Sequence, residues 1–184
     1  LNLHNYSSRG PREDGGFKPN VAAPGSAIST VPLWLKQDAV TGVSYELPAG
    51  YAMFNGTSMA SPQAAGASAL LLSAAKATSR PVTARQLRES VYSSAKLIPG
   101  VQVAGQGNGQ YDVNGAWAKL VANPTIDTYT VDAPVCTPIS DFLTTPDRGT
   151  GLYNRCGVEA GGQPIGKQKI YNLTLTRTSG PAGA

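Results

Sequence analysis

Hydrophobic positions along the chain fall into three regimes. Residues 1–31 are punctuated by turn formers: Ser7-Ser8-Arg9-Gly10-Pro11, Asp14-Gly15-Gly16 and Lys18-Pro19. Between and after them, Val21-Ala22-Ala23 and Ile28-Ser29-Thr30-Val31 are short runs closed by Pro24-Gly25 and Pro32. Such runs predict short buried strands. Residues 33–50 keep no period, and a loop is expected. From 58 to 76 the pattern changes. Met59, Ala60, Ala64, Leu70, Leu71, Leu72 and Ala75 place apolar side chains on most faces, which predicts a helix buried on nearly all sides. Its Ala and Gly residues let it approach neighbouring backbone closely. Pro62 falls in the first turn, where amides lack intrahelical partners.

A second helix is expected from Thr83, because Thr83-Ala84-Arg85-Gln86 fits a capping box. Leu87, Val91 and Ala95 form its inner stripe, with Arg85, Arg88 and Glu89 outside. A third runs over 114–121, anchored by Trp117, Leu120 and Val121 and stopped by Asn123-Pro124. Beyond that the helical signal vanishes. Residues 125–131 lean to strand, and Tyr171, Leu173 and Leu175 alternate with polar residues, which predicts a strand with one buried face. The last residues, 179–184, have turn composition. Two units are expected: 1–122, an α/β layered domain with a parallel sheet, and 123–184, a β-rich unit. Two or three strands are too few for a stable sandwich, so the second unit is expected to be incomplete.

Composition adds bounds. The 184 residues are 41% hydrophobic and 14% charged, with net charge +4. The surplus lies in residues 1–120, while 121–184 balance. So small a surplus, without a Lys/Arg run, argues against a nucleic-acid partner. The longest apolar run, 64–75, is interrupted by Gly66, Ser68 and Ser73 and is too short to span a bilayer. The first residue is Leu1 rather than Met, no signal peptide follows, and the chain is expected to be part of a longer one. Cys136 and Cys156 are too few for a zinc site. They are either buried thiols or a disulfide. The turn and charged residues between them (Asp147, Arg148, Gly149, Gly151) favour a stapled surface loop.

The stretch Asn55-Gly56-Thr57-Ser58-Met59-Ala60-Ser61-Pro62 carries chemistry. A flexible glycine precedes a hydroxyl at the start of a helix, at or beside its N-cap. A capping serine meets that placement. So does a nucleophile, because free amides and the helix dipole favour negative charge there. An oxyanion formed by attack on a carbonyl would be stabilised by the Ser58 N–H.

Gly56-Thr57-Ser58-Met59-Ala60-Ser61-Pro62 resembles the nucleophile motif of the subtilisin-like serine proteases, the subtilases. Lys18-Pro19-Asn20-Val21-Ala22-Ala23-Pro24-Gly25, followed by Ile28-Ser29-Thr30, resembles a second family segment, with Asn20 replacing the usual Asp. Tyr6-Ser7-Ser8-Arg9-Gly10-Pro11 resembles a third. All three occur in family order. The resemblance covers about residues 1–122 and implies a subtilisin-like three-layer α/β domain, represented by its C-terminal half. It implies that Ser58 is the catalytic nucleophile, supported by Gly56, Thr57 and Met59, with the Thr57 hydroxyl near the oxyanion. The family's catalytic Asp and His and its oxyanion Asn precede the Ser, and no segment matching them occurs in this sequence. His4 is no substitute base; its neighbours mark it as a surface or structural residue. The tripeptides beginning at Asn5, Asn55 and Asn172 match the glycosylation pattern incidentally. Residues 136–177 look similar to the start of the β-rich domain that follows the catalytic domain in large secreted bacterial subtilases.

The resemblance thus implies a secreted, extracellular serine endopeptidase that cleaves protein or peptide substrates through an acyl-enzyme on Ser58. The chain is expected to be inactive without the missing N-terminal half of its catalytic domain. No cofactor and no metal ligand set is expected in this stretch. Some subtilases bind calcium, but none of their ligand sets transfers to these residues. No nucleic-acid or membrane partner is expected. The rival readings are a non-catalytic subtilase-like scaffold and a tripeptidyl-peptidase-type exopeptidase.

Overall fold

A computed structural model describes residues 2–35, 46–122 and 125–180. The expected loop at 36–45, the helix stop at Asn123-Pro124 and the turn at 181–184 lie outside the described residues.

Two strands, β1 (Ser26–Thr30) and β2 (Tyr51–Asn55), precede the long helix α1 (Thr57–Ala77). The helix α2 (Ala84–Ser94), a short α3 (Val103–Gln106) and α4 (Val113–Ala122) follow. The α2 start is held as its sequence demands. The Gln86 amide donates to the Thr83 hydroxyl at 3.2 Å, and the Thr83 amide donates to Gln86 Oε1 at 2.9 Å.

The core sits where three helices meet. Leu71 of α1, Val91 of α2, and Ala116 and Leu120 of α4 are buried together, with Leu87, Tyr92 and Trp117 against them. Val121, expected as an anchor, instead faces outward, and Ala116 takes the buried position. The expected burial of α1 on nearly all sides is also corrected. Only Leu71 and Ala75 are buried, whereas Leu70 is 61% exposed. Helices α2 and α4 and strands β1 and β2 pack against it and leave most of its residues exposed or half-buried.

The α/β layering stands, with a narrower strand geometry. The pair β1–β2 is antiparallel, with Ser26 opposite Asn55 and Thr30 opposite Tyr51. Parallel neighbours need a crossover element between them, and the described residues between β1 and β2 form turns instead. The expected strand at 21–23 is reduced to one bridge, Ala22 parallel to Gln110. It is closed by Ala22 N–H to the Gly109 carbonyl and Tyr111 N–H to the Ala22 carbonyl, both at 2.8 Å. Gln110 bridges Lys96 on its other side, which ties the N-terminal segment to the end of α2. The Gln106 side chain is buried nearby. It accepts from the Ile98 amide at 2.6 Å and donates to the Ile98 and Val101 carbonyls.

Past the helices, β3 (Tyr129–Cys136) pairs antiparallel with β4 (Arg148–Gly149) and β6 (Thr174–Arg177), and parallel with β5 (Tyr153–Asn154). Ala133 and Val135 on β3 are buried. The one-sided burial expected around 171–175 is not found. Every residue of β6 is exposed, although the strand pairs with β3 along its length. Cys136 and Cys156 are joined by a disulfide, with S–S 2.06 Å. It fastens the end of β3 to the segment after β5.

Candidate active site

Antiparallel pairing of β1 with β2 delivers the end of β2 to the start of α1. The Ser26 hydroxyl donates to Asn55 Oδ1 at 2.7 Å, and the Gly56 amide donates to the Gly25 carbonyl at 2.8 Å. Gln63, in the second turn of α1, donates to the Ser26 carbonyl at 3.2 Å. The nucleophile motif is therefore fixed from both sides, by a strand ladder before it and a helix after it.

Gly56 is the N-cap of α1, at φ 154° and ψ 168°. That region of backbone conformation is essentially reserved for glycine. Its carbonyl accepts from the Met59 and Ala60 amides at 3.0 and 3.3 Å, which starts the helix. Ser58 is consequently the second residue of α1 rather than its cap. No side chain caps this helix. Ser58 is exposed, and its hydroxyl makes no hydrogen bond among the described residues. The Thr57 and Ser58 amides lie in the first turn, where N–H groups have no intrahelical acceptor. A hydroxyl free of capping work thus stands beside uncommitted donors at the positive end of a helix of 21 residues.

A cavity of about 280 Å³ opens beside the motif. Gly56, Thr57 and Ala60 form one wall, and Leu3, His4 and Tyr6 contribute to the other. A second cavity, of about 380 Å³, shares Thr57 and Ala60 and runs toward Ser61 and Tyr92. Thr57 lines both. The Met59 side chain is half-buried. His4 is exposed and stacks on Tyr6, with ring centroids 4.8 Å apart and planes 9° from parallel. It shares the cavity with Thr57 and makes no hydrogen bond to Ser58. The sequence reading missed this aromatic wall; the i, i+2 spacing of His4 and Tyr6 in a turn was its only local signal.

No three His, Cys, Asp or Glu side chains converge as a metal-binding group among the described residues. No helix there is long and apolar enough to cross a membrane.

Comparison with known proteins agrees with this geometry. Residues 2–119 match the model of the subtilase family, and residues 130–184 match an Ig-like domain in actinomycete serine proteases. The chain is 37% identical over 98 residues to tripeptidyl-peptidase 2 of Oryza sativa subsp. japonica, a match covering 53% of this chain and 6% of the relative. It is 36% identical over 125 residues to pyrolysin of Pyrococcus furiosus, covering 64% of this chain and 8% of the relative. It is 31% identical over 109 residues to an extracellular basic protease of Dichelobacter nodosus, covering 59% of this chain and 17% of the relative. The chain thus spans a small part of the length of each of these proteins. With the family model matched across more than half of its residues, and the Gly56–Pro62 motif seated at the mouth of α1, the chain belongs to the subtilase family.

Proposed function

We propose that the protein carrying this chain is a subtilisin-like serine endopeptidase, with Ser58 as its nucleophile. One observation carries the reading: the Ser58 hydroxyl is exposed at the first turn of α1 and takes no part in capping it. The Ser58 oxygen attacks the scissile carbonyl and forms an acyl-enzyme, which water then hydrolyses. The Ser58 amide donates to the developing oxyanion, and the Thr57 hydroxyl lies beside it. Gly56 and Met59 hold the turn that presents them. The proton acceptor and the carboxylate that orients it come from residues outside this chain, so the chain alone is inactive.

The substrates are proteins or peptides, and this chemistry needs no cofactor. Residues 1–122 are the catalytic part and 123–184 the β-rich part. An extracellular setting is supported by the Cys136–Cys156 disulfide and by the likeness to an extracellular basic protease of Dichelobacter nodosus. Nucleic acid and membrane are not partners. The tripeptidyl-peptidase relatives favour one second reading, an exopeptidase using the same Ser58.

Fluorophosphonate labelling of the folded full-length protein tests the assignment. The probe should modify Ser58, and Ser58→Ala should abolish both labelling and peptide hydrolysis. A folded, active protein left unmodified at Ser58 rules the nucleophile out. Release of tripeptides from free N-termini, with no internal cleavage, selects the exopeptidase.

A further inference from the structure

The turn at residues 12–16 is built to be gripped. Arg12 donates to both carboxylate oxygens of Asp14, at 2.9 and 2.5 Å, and Asp14 Oδ1 also accepts from the Gly16 amide at 2.9 Å. The Arg12 amide donates to the Gly16 carbonyl at 3.0 Å, which closes the loop. This self-contained turn lies against the β4–β5 region. The Thr150 amide donates to the Asp14 carbonyl at 2.9 Å. Arg155 reaches Glu13 at 3.5 Å.

Glycines make the contact close. A Cβ on Gly15 would run into the Gly151 carbonyl oxygen, and one on Gly151 would run into the Gly15 carbonyl oxygen. A Cβ on Gly149 would strike the Asp14 carbonyl oxygen. All three obstacles are backbone, which cannot swing aside as a long side chain can. The disulfide holds the far end of the same segment at Cys156. Gly16 is buried under the Arg12 side chain of its own turn, and Glu13, Asp14 and Gly15 are half-buried, although Arg-Glu-Asp-Gly-Gly is the composition of an exposed loop tip. Such tips are the preferred sites of proteolytic nicking.

We propose that the β-rich part locks onto the 12–16 turn through this glycine seam and shields the turn from cleavage. The C-terminal part is then a guard on the catalytic part rather than a tethered neighbour. The contact is independent of which residue is the nucleophile.

Trypsin challenge of the full-length protein tests it, with the cut after Arg12 followed by mass spectrometry. Gly151→Val places side-chain atoms in the seam and should raise the rate of that cut at least fivefold. Gly157→Val is the control, because a Cβ there meets nothing within 4 Å; it should keep the parental rate. Arg155→Glu sets like charges together at the surface and should raise the rate a few-fold without disturbing the core. In the unmodified protein, the Thr150 amide should exchange with deuterium far more slowly than an exposed loop amide. If Gly151→Val folds and is cut at the parental rate, the proposal fails. If Gly151→Val does not fold, the decision passes to the other two measurements. A parental rate in Arg155→Glu, together with fast exchange at Thr150, overturns the proposal.

Discussion

The Gly56 amide donates to the Gly25 carbonyl at 2.8 Å, so the residue that caps α1 also extends the β1–β2 ladder by one rung. Two kinds of secondary structure share a single peptide unit there, and the shared unit lies two residues before Ser58.

Gly56→Ala should therefore be costly for a conformational reason. A Cβ at Gly56 would meet Ser58 N and Met59 Sδ at 3.8 and 3.9 Å, which is ordinary contact. The φ of 154° is what alanine resists. A strained backbone of this kind costs on the order of 1–3 kcal/mol. Urea unfolding of the full-length variant should show that loss, and fluorophosphonate labelling of Ser58 should slow with it. Parental behaviour in both assays would mean that the turn relaxes without cost.

Gln106 is the buried polar group whose loss should be felt most. Gln106→Leu keeps a similar volume but leaves the Ile98 amide and two carbonyls without their partner. Each buried group left unpaired costs about 1–3 kcal/mol. A loss of about 3 kcal/mol, measured by chemical denaturation, is expected for the variant. A loss under about 0.5 kcal/mol would show that water replaces the side chain.

Replacing both cysteines by serine opens the link across a sequence separation of 20 residues. Loop-closure entropy puts its contribution at about 3 kcal/mol. Thermal melting with and without reductant should separate by that amount in the parent and coincide in the double variant.

Three carboxylates set the acid limit. The Arg12 guanidinium holds the Asp14 carboxyl below the usual carboxylate range, chiefly through its hydrogen bonds. Lys96 does the same for Asp112, and Arg148 for Asp132. A carboxyl whose pKa is lower in the folded state stabilises fully above its unfolded value, about 4. The stabilisation is lost as pH falls from there through the lower folded value. The melting temperature should hold from pH 7 to about 5 and drop below about 4. Asp132→Asn should flatten part of that drop; an unchanged profile would remove Asp132 from the set.

What could be read in advance follows from how local each signal is. Thr83 and Gln86 sit three residues apart and satisfy each other, so α2 starts where the pattern says. The family was legible because the Gly56–Pro62 motif is long, although the place of Ser58 in the helix is shifted by the glycine that caps in its stead. Strand β2 was missed because Tyr51-Ala52-Met53-Phe54-Asn55 has no clear alternation; only Ala52 is buried. The burial of α1 was overread, since alanine fits a crowded face and an open one equally well. The Gln106 network and the seam between Gly15 and Gly151 depend on contacts that no window of sequence contains.

The long-range ladder also sets an order of events. Asn108 donates twice to the Asn20 carbonyl, through its amide and its side chain, across 88 residues. During synthesis at about 5–20 residues per second, Asn20 waits roughly 4–18 s before its partner exists. Helices α1 and α2 close their own hydrogen bonds within that interval, because helix formation takes about a microsecond or less. The segment around Asn20 is thus made before these helices and seated after them, and Asn108 is the residue whose arrival ends its exposure.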